Sequence, residues 1–474
     1  MRKSFNDFLN WLTDKKVAVL GAGISNRPLI RLLLESGIKI SIFDRQTKEE
    51  LAPFLSELNA DAYEVETSLG ADYLAALSGF DLIFKTPVVR PDLPELSAER
   101  RRGCIITSEM EVFLQFCPAE IFAISGSDGK TTTSSLTAAI LEAAGYHSYL
   151  GGNIGLPLLS QLSQMTCEDK VVVELSSFQL MGMTAKIDNA ALTNLSPNHL
   201  DVHKDYAEYR EAKAQIFRHQ GPQCRLVLNG ECAELAPWSL EAKGQLIWTA
   251  KRPFGDQALY GIEADHLFYQ AAPGVQREKL IDRSELKLLG RHNALNVLTA
   301  LALTEEAVDR ETALAAVLAF EGVEHRIELI RSLDGVDYYN SSIDSSPSRT
   351  VQTLAVFREK KAPLLLIAGG KDKKLDYREL GHSILASVRK LYLYGDNSEL
   401  IEAGIESALR EGAHAAYALE IKHCSSYEEA LHLARQAGRK GEAVLLSPAG
   451  TSFDHFKNFE ERGKAFKAAV HELV

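Results

Sequence analysis

The sequence predicts an α/β protein with mainly parallel sheets, divided into three domains. Three observations predict it. Short apolar runs alternate with amphipathic helical stretches from end to end, which is the pattern of parallel strands joined by helices. The chain has 474 residues, too many for one core. Glycine loops that follow strands open three blocks, at Gly21, Gly126 and Gly369. In order, the strand-like runs are Val17 to Leu20, Ile38 to Phe43, Leu82 to Phe84, Ile121 to Ile124, Val171 to Leu175, Leu364 to Ala368, Leu391 to Tyr394 and Ala443 to Leu446. Domain boundaries are expected near Glu109, before the second glycine loop, and near Gly322, after a helix over Asn293 to Thr304. The domains are then 1–109, 110–322 and 323–474. The stretch from about Arg225 to Leu286 mixes Pro, Gly and short apolar runs without helical period, and a small β appendage is expected there.

A formal net charge of −12 argues against nucleic acid or an anionic membrane surface as the main partner. Anionic substrates must then be met by local lysines and arginines. The six cysteines show neither C-x-x-C pairs nor metal-like spacing and read as free thiols of a reducing compartment. Met1 to Leu9 is polar and charged, and no run approaches the roughly 18 apolar residues of a membrane span. A cytoplasmic protein is expected.

The most informative stretch is Ile121-Phe-Ala-Ile-Ser-Gly-Ser-Asp-Gly-Lys-Thr-Thr-Thr133, an apolar run feeding a glycine-spaced loop that opens a helix. Loop N–H groups and the positive end of the helix face an anion there, and a lysine and a threonine hydroxyl supply charge and a Mg²⁺ ligand. The spacing is the shortened G-x-x-G-K-T form, with Gly126, Gly129, Lys130, Thr131 and Thr132 as the candidate ATP-phosphate residues. Near the N-terminus, Gly21-Ala-Gly-Ile-Ser-Asn26 follows a strand and Asp44 ends the next one. This imitates a dinucleotide fingerprint, but Asn26 replaces the last glycine. Two ligands remain open, a nicotinamide dinucleotide or a nucleotide-sugar diphosphate, with phosphates at the turn of Gly23, Ile24 and Ser25 and the base near Asp44 or Arg45.

Further strings carry single polar groups beyond apolar runs: Gly151-Gly-Asn-Ile-Gly-Leu-Pro157, Val171-Val-Val-Glu-Leu-Ser-Ser-Phe-Gln179, Asn194-Leu-Ser-Pro-Asn-His-Leu-Asp201 and Tyr209-Arg-Glu-Ala-Lys213. Glu174 ends a buried strand, where a carboxylate needs a cation, either a basic side chain or Mg²⁺. His199 and Lys213 alone read as an exposed loop histidine and a helix lysine. Together these strings resemble the Mur ligase family, ATP-dependent enzymes that add amino acids to UDP-linked cell-wall precursors. Glu174 to Leu180 and Ser447 to Gly463 look like the branch that adds D-glutamate to UDP-N-acetylmuramoyl-L-alanine. The resemblance implies Rossmann-like first and third domains around a central P-loop-type ATPase domain, the third closing over ATP. It also implies a monomer that takes part in peptidoglycan synthesis.

By resemblance, Lys130 and Thr131 meet the ATP phosphates and a first Mg²⁺, with Glu174 shared between two ions. His199 and Lys213 serve the second ion, Lys213 as a carbamate. Asn293 and Asn296 face adenine, and Arg326 reaches the γ-phosphate. Asn153, Ser176 and Gln179 join the UDP-sugar site, and Lys373, Ser452 and Phe459 match positions that bind D-glutamate. The chain departs from the family pattern in Asn340-Ser-Ser-Ile-Asp-Ser-Ser-Pro347, where Ser341 stands for an acid and Ile343 for a lysine. Asp344 is the acid that this loop offers instead. Asn198 likewise stands where an acid is common. A folate polyglutamate synthetase would share the phosphate loop but leaves Ser447 to Gly463 unexplained. A nucleotide-sugar sensor without catalysis leaves Lys130, Glu174, His199 and Lys213 unexplained.

Overall fold

The computed structural model describes residues 4–60, 63–155, 157–200, 202–249, 256–360, 363–372, 375–453 and 456–474. Contacts gather the chain into two units, one of residues 1–285 with 295–318, the other of residues 286–294 with 319–474. The first expected boundary, near Glu109, falls inside the first unit. The segment 286–294, expected in the central domain, packs with the C-terminal residues.

The first unit holds two sheets among its described residues. One contains β1 (Val17–Leu20), β2 (Ile40–Asp44), β3 (Glu66–Leu69), β4 (Leu82–Lys85) and β5 (Ile105–Thr107), all parallel, in the order β3-β2-β1-β4-β5. Every residue of β1 and β4 is buried, as expected of strands covered by helices on both faces. This order reverses between β1 and β4, which places a crevice at their carboxyl ends, beside the Gly21 turn.

The second sheet contains β6 (Glu120–Ser125), β7 (Ser148–Gly152), β8 (Lys170–Glu174), β9 (Asn189–Leu192), β10 (Arg225–Asn229), β11 (Gln245–Thr249), β12 (Ala258–Glu263), β13 (His266–Gln270) and β14 (Glu278–Asp282). Its order is β14-β13-β12-β11-β10-β9-β6-β8-β7, parallel from β7 to β12 and antiparallel at the last two pairings. The expected appendage is therefore not separate. β10 joins β9 in register at Arg225 and Asn189, and the stretch extends the central sheet. The buried strands β6, β8 and β9 lie side by side, so Ser125, Glu174 and Thr193 all emerge at one edge.

In the second unit β15 (Glu328–Leu333), β16 (Val336–Asn340), β17 (Leu364–Gly369), β18 (Val388–Tyr394), β19 (Glu420–His423) and β20 (Ala443–Leu446) order as β15-β16-β20-β17-β18-β19. Only the β15–β16 pairing is antiparallel among these. β17 and β20 are buried along their whole length and carry loops 369–372 and 447–453 at their carboxyl ends.

Candidate active site

The loop after β6 is shaped by two glycines with positive φ. Gly126 has φ +145°, and a Cβ there would lie 1.9 Å from Thr193 Oγ1; Gly129, at φ +81°, caps the helix Lys130–Ala143. The helix begins four residues earlier than its apolar part, so Lys130, Thr131 and Thr132 form its first turn. Thr193 Oγ1 donates to Asp128 O at 2.5 Å and Asn194 Oδ1 accepts from Asp128 N at 2.9 Å, which fixes the loop from the β9 side. Lys130 Nζ donates to Gly126 O and Ser127 O at 3.1 and 3.0 Å. The loop is thus held in its cradle shape by two side chains beyond β9 and by its own lysine. Asn296 packs over it, with its Oδ1 2.4 Å from where a Gly129 Cβ would stand.

Glu174 is buried at the end of β8, and its two oxygens take Thr131 Oγ1 at 2.8 Å and Asn153 Nδ2 at 3.0 Å. The sequence assigned these residues to a metal, the phosphates and the sugar; the structure gathers them around one carboxylate. A hydroxyl and a carboxylate side by side are oxygen donors of the kind Mg²⁺ takes. Lys213, on the helix Tyr206–Arg218, is also buried, and its ammonium donates to Gly126 O at 2.8 Å and Ser125 Oγ at 3.2 Å. Burial first, and then the Lys130 charge, push this lysine down to about 6. The side chain read as an exposed helix lysine is therefore an interior one, and burial weakens its hold on the proton. His199 sits on the exposed loop after β9 at φ +55°, its ring edge-on to Phe178 at 5.0 Å.

Two residues that the sequence reading passed over belong here. Tyr209 Oη lies 2.8 Å from Ser127 Oγ, and its ring lies 4.9 Å from the Lys213 ammonium. The spacing of four between Tyr209 and Lys213 on one helix was the available signal. Arg90, beyond β4, grips Glu208 of the same helix at 2.6 Å and donates to Val202 O at 2.8 Å.

At the β1–β4 crevice a cleft of about 280 Å³ is lined by Ile24, Ser25, Asn153, Ser176 and Gln179, among others. Asn26, the replacement for glycine, is buried and donates to Gly21 O at 2.8 Å, closing the turn from within. Asp44 Oδ2 accepts from Ala22 N at 2.6 Å and braces the turn, while its Oδ1 accepts from Gln46 N at 2.8 Å in the loop after β2. Arg45 beside it is exposed, as is Gly23. Ser176 and Gln179 cap each other at the start of the helix Ser177–Leu180.

In the second unit His325, at φ +64°, presents Arg326. His325 Nδ1 lies 2.9 Å from Asn340 Nδ2 and under Gly463, where a Cβ would come within 2.3 Å of the ring. Lys467 pairs with Glu324 and Glu328 on either side of this histidine, so the cluster's cation is a side chain of the chain itself. Asn293 is buried and donates to Leu289 O at 2.7 Å. Lys371 and Thr451 exchange backbone hydrogen bonds at 2.9 and 3.0 Å, tying the two loops beyond β17 and β20 together. Ser452 is buried next to that bridge and Phe459 starts the last helix, Phe459–Glu472. Lys373 lies outside the described residues. Asp344 does not face outward: it is buried, and its Oδ2 accepts from Ser447 Oγ at 2.7 Å and Thr353 Oγ1 at 2.8 Å.

Residues 124–304 match the model of the Mur ligase middle domain, and residues 325–450 that of the Mur ligase glutamate ligase domain. Over its full length the chain is 43% identical to a UDP-N-acetylmuramoylalanine--D-glutamate ligase of Ruminiclostridium cellulolyticum, covering all of that protein. The chain belongs to the Mur ligase family. A ligase of the same name from Clostridium tetani is 40% identical, again with complete coverage of both chains. Among solved structures, a UDP-N-acetylmuramate-alanine ligase of Thermotoga maritima aligns over 96% of this chain and 99% of its own, with a TM-score of 0.57 at 18% identity. A pseudomurein peptide ligase type C of Methanothermus fervidus aligns over 97% of this chain and 100% of its own, with a TM-score of 0.55 at 16% identity. Those two likenesses extend the Mur ligase fold across nearly the whole chain. Among the described residues no helix is long and apolar enough to cross a membrane.

Proposed function

We propose that this Mur ligase joins D-glutamate to UDP-N-acetylmuramoyl-L-alanine, consuming ATP and releasing ADP and phosphate, in peptidoglycan precursor synthesis in the cytoplasm. The observation that carries the reading is full-length likeness, at 43% identity, to a relative bearing the corresponding ligase name. The phosphate loop beside Glu174 and Lys213 gives it a chemical basis. An amine does not displace oxygen from a free carboxylate. Transfer of the γ-phosphoryl group to that carboxylate makes an acyl phosphate, which the amine of D-glutamate attacks as phosphate leaves.

In this reading the loop from Gly126 to Thr132 holds the ATP phosphates, Asn293 and Asn296 recognise adenine, and Arg326 meets the γ-phosphate. Two Mg²⁺ ions, when bound, would offset the charge that builds on the phosphoryl oxygens. Thr131, Glu174, His199 and Lys213 are the residues proposed to hold them. An ammonium does not ligate a cation, but a neutral amine reacts with CO₂ to form an anionic carbamate, and the buried Lys213 amine favours that reaction. Gly23, Ile24, Ser25, Asp44, Arg45, Asn153, Ser176 and Gln179 form the proposed UDP-sugar site. Lys373, Ser452 and Phe459 form that for D-glutamate. The protein is proposed to act as a monomer.

The test is ADP release with UDP-N-acetylmuramoyl-L-alanine while the amino acid is varied. D-glutamate should support turnover far better than L-glutamate, L-alanine or meso-diaminopimelate. Equal rates with L-glutamate would overturn the assignment.

A further inference from the structure

Glu109 is the ionisable side chain among the described residues that line the β1–β4 cleft. It begins the helix Glu109–Phe116 and is only 6% exposed. Its Oε1 accepts from Leu159 N at 3.1 Å, and no hydrogen bond reaches its Oε2 from any described residue. Among the described residues no cation pairs with it. On its own helix, Glu111 is occupied by Thr184 and Thr107, and the neighbouring 3-10 turn Leu159–Gln164 carries no ionisable group. Asp44 and Glu174 are bound to their own donors, and Arg27 is turned onto Ala22 O and the Phe54 ring. Lys85, buried in β4, feels Glu111 rather than Glu109. A buried carboxylate with a single N–H partner is costly, so burial favours the protonated form.

We propose that Glu109 is a ligand-binding residue of this cleft, whose protonated carboxyl donates a hydrogen bond from Oε2 to an oxygen of the bound nucleotide sugar. The inference rests on the functional reading above. Protonation does two things at once. It supplies a donor to a ligand rich in acceptors, and it removes a negative charge that a diphosphate would meet as repulsion. Leu159 N–H and the helix N-terminus favour the anion, but burial outweighs them and pushes Glu109 up to about 7. Binding should therefore be full in acid and fail as pH rises.

Calorimetry of UDP-N-acetylmuramoyl-L-alanine binding between about pH 6 and about pH 9 tests this with the whole chain. Above about pH 7 the wild-type Kd should weaken toward about tenfold per pH unit, because one proton is lost from the binding form. E109Q keeps an N–H donor that cannot ionise, and its Kd should be nearly independent of pH. E109A lacks the donor, and its Kd at pH 6 should be about five- to tenfold weaker than wild type, the loss of about one buried hydrogen bond. Titration of the ligand's own groups is common to all three proteins and cancels in the comparison. Equal pH slopes in wild type and E109Q overturn the proposal while leaving the functional reading intact. No binding by the wild type at any pH overturns both.

Discussion

At the scale of single residues, Lys213 decides the most. Its burial, and then the Lys130 charge, lower its pKa to about 6, although Gly126 O and Ser125 Oγ accept from it. If it works as a carbamate, Lys213→Arg should be nearly inactive, since arginine keeps the charge but not the ligand chemistry. Wild-type activity should fall when CO₂ is stripped and return with bicarbonate. The sign with pH follows: the reactive amine is present above the lowered pKa and disappears as pH drops through about 6. Retention of most activity by Lys213→Arg would remove the lysine from the second metal. Asp344 is a different case. Three residues beyond Ser341, it offered itself as the missing acid, but its carboxylate is enclosed by Ser447 and Thr353. Asp344→Ala should remove the acceptor of Thr353 Oγ1 and one of the two partners of Ser447 Oγ, which also meets Thr350, and cost about 1–3 kcal/mol of stability, visible as a lower melting temperature. Asp344→Asn, which still accepts, should lose less. Nothing in the structure shows what replaces the lysine at Ile343.

At the scale of elements, the two glycines of the phosphate loop make separable predictions. Gly126→Ala places a methyl against Thr193 at a backbone angle that L-residues avoid, so the loop must move. ADP formation should fall by more than about tenfold, and the melt should shift down with it. Gly129→Ala is also strained, at φ +81°, but the atoms nearest its methyl belong to the Asn296 side chain and not to backbone. Its stability loss should be the smaller of the two, measured by thermal unfolding of both variants. The strands and this loop were legible in the sequence because each depends on neighbours in the chain: apolar runs, glycine spacing and a lysine-threonine pair. The rest depends on distant partners. Tyr209 meets Ser127 across 82 positions and Arg90 meets Glu208 across 118; the helical spacing to Lys213 points to Tyr209, but not to its partner, and nothing local points to Arg90. Asn26 looked like a defect in a glycine motif, yet its side chain closes the turn that the motif requires. The β10 to β14 stretch was legible as β, but its attachment was not: its pairing with β9 is set by the sheet edge that it joins, not by its own periodicity.

At the scale of the whole chain, the first unit is discontinuous. It gives up residues 286–294 and takes back 295–318. The returning segment is held by buried groups: Arg225 is 3% exposed, pairs with Glu306 at 2.8 Å and donates to Ala302 O at 3.2 Å. Tyr146 Oη donates to Ala307 O at 3.1 Å, and Val297 and Leu298 are fully buried. A chain ending at 285 would lose the Arg225 contacts to Ala302 O and Glu306 together with the buried Val297 and Leu298 side chains. A fragment of residues 1–318 should therefore give a cooperative melt by circular dichroism, and a fragment of residues 1–285 should not. The same layout sets a clock on synthesis. As the polypeptide leaves the ribosome, the fourteen strands described in the first unit emerge before the helical segment that seals them, and at about 5–20 residues per second that interval lasts seconds. Through it the open flank of the β10–β11 region is the surface a nascent-chain chaperone would meet.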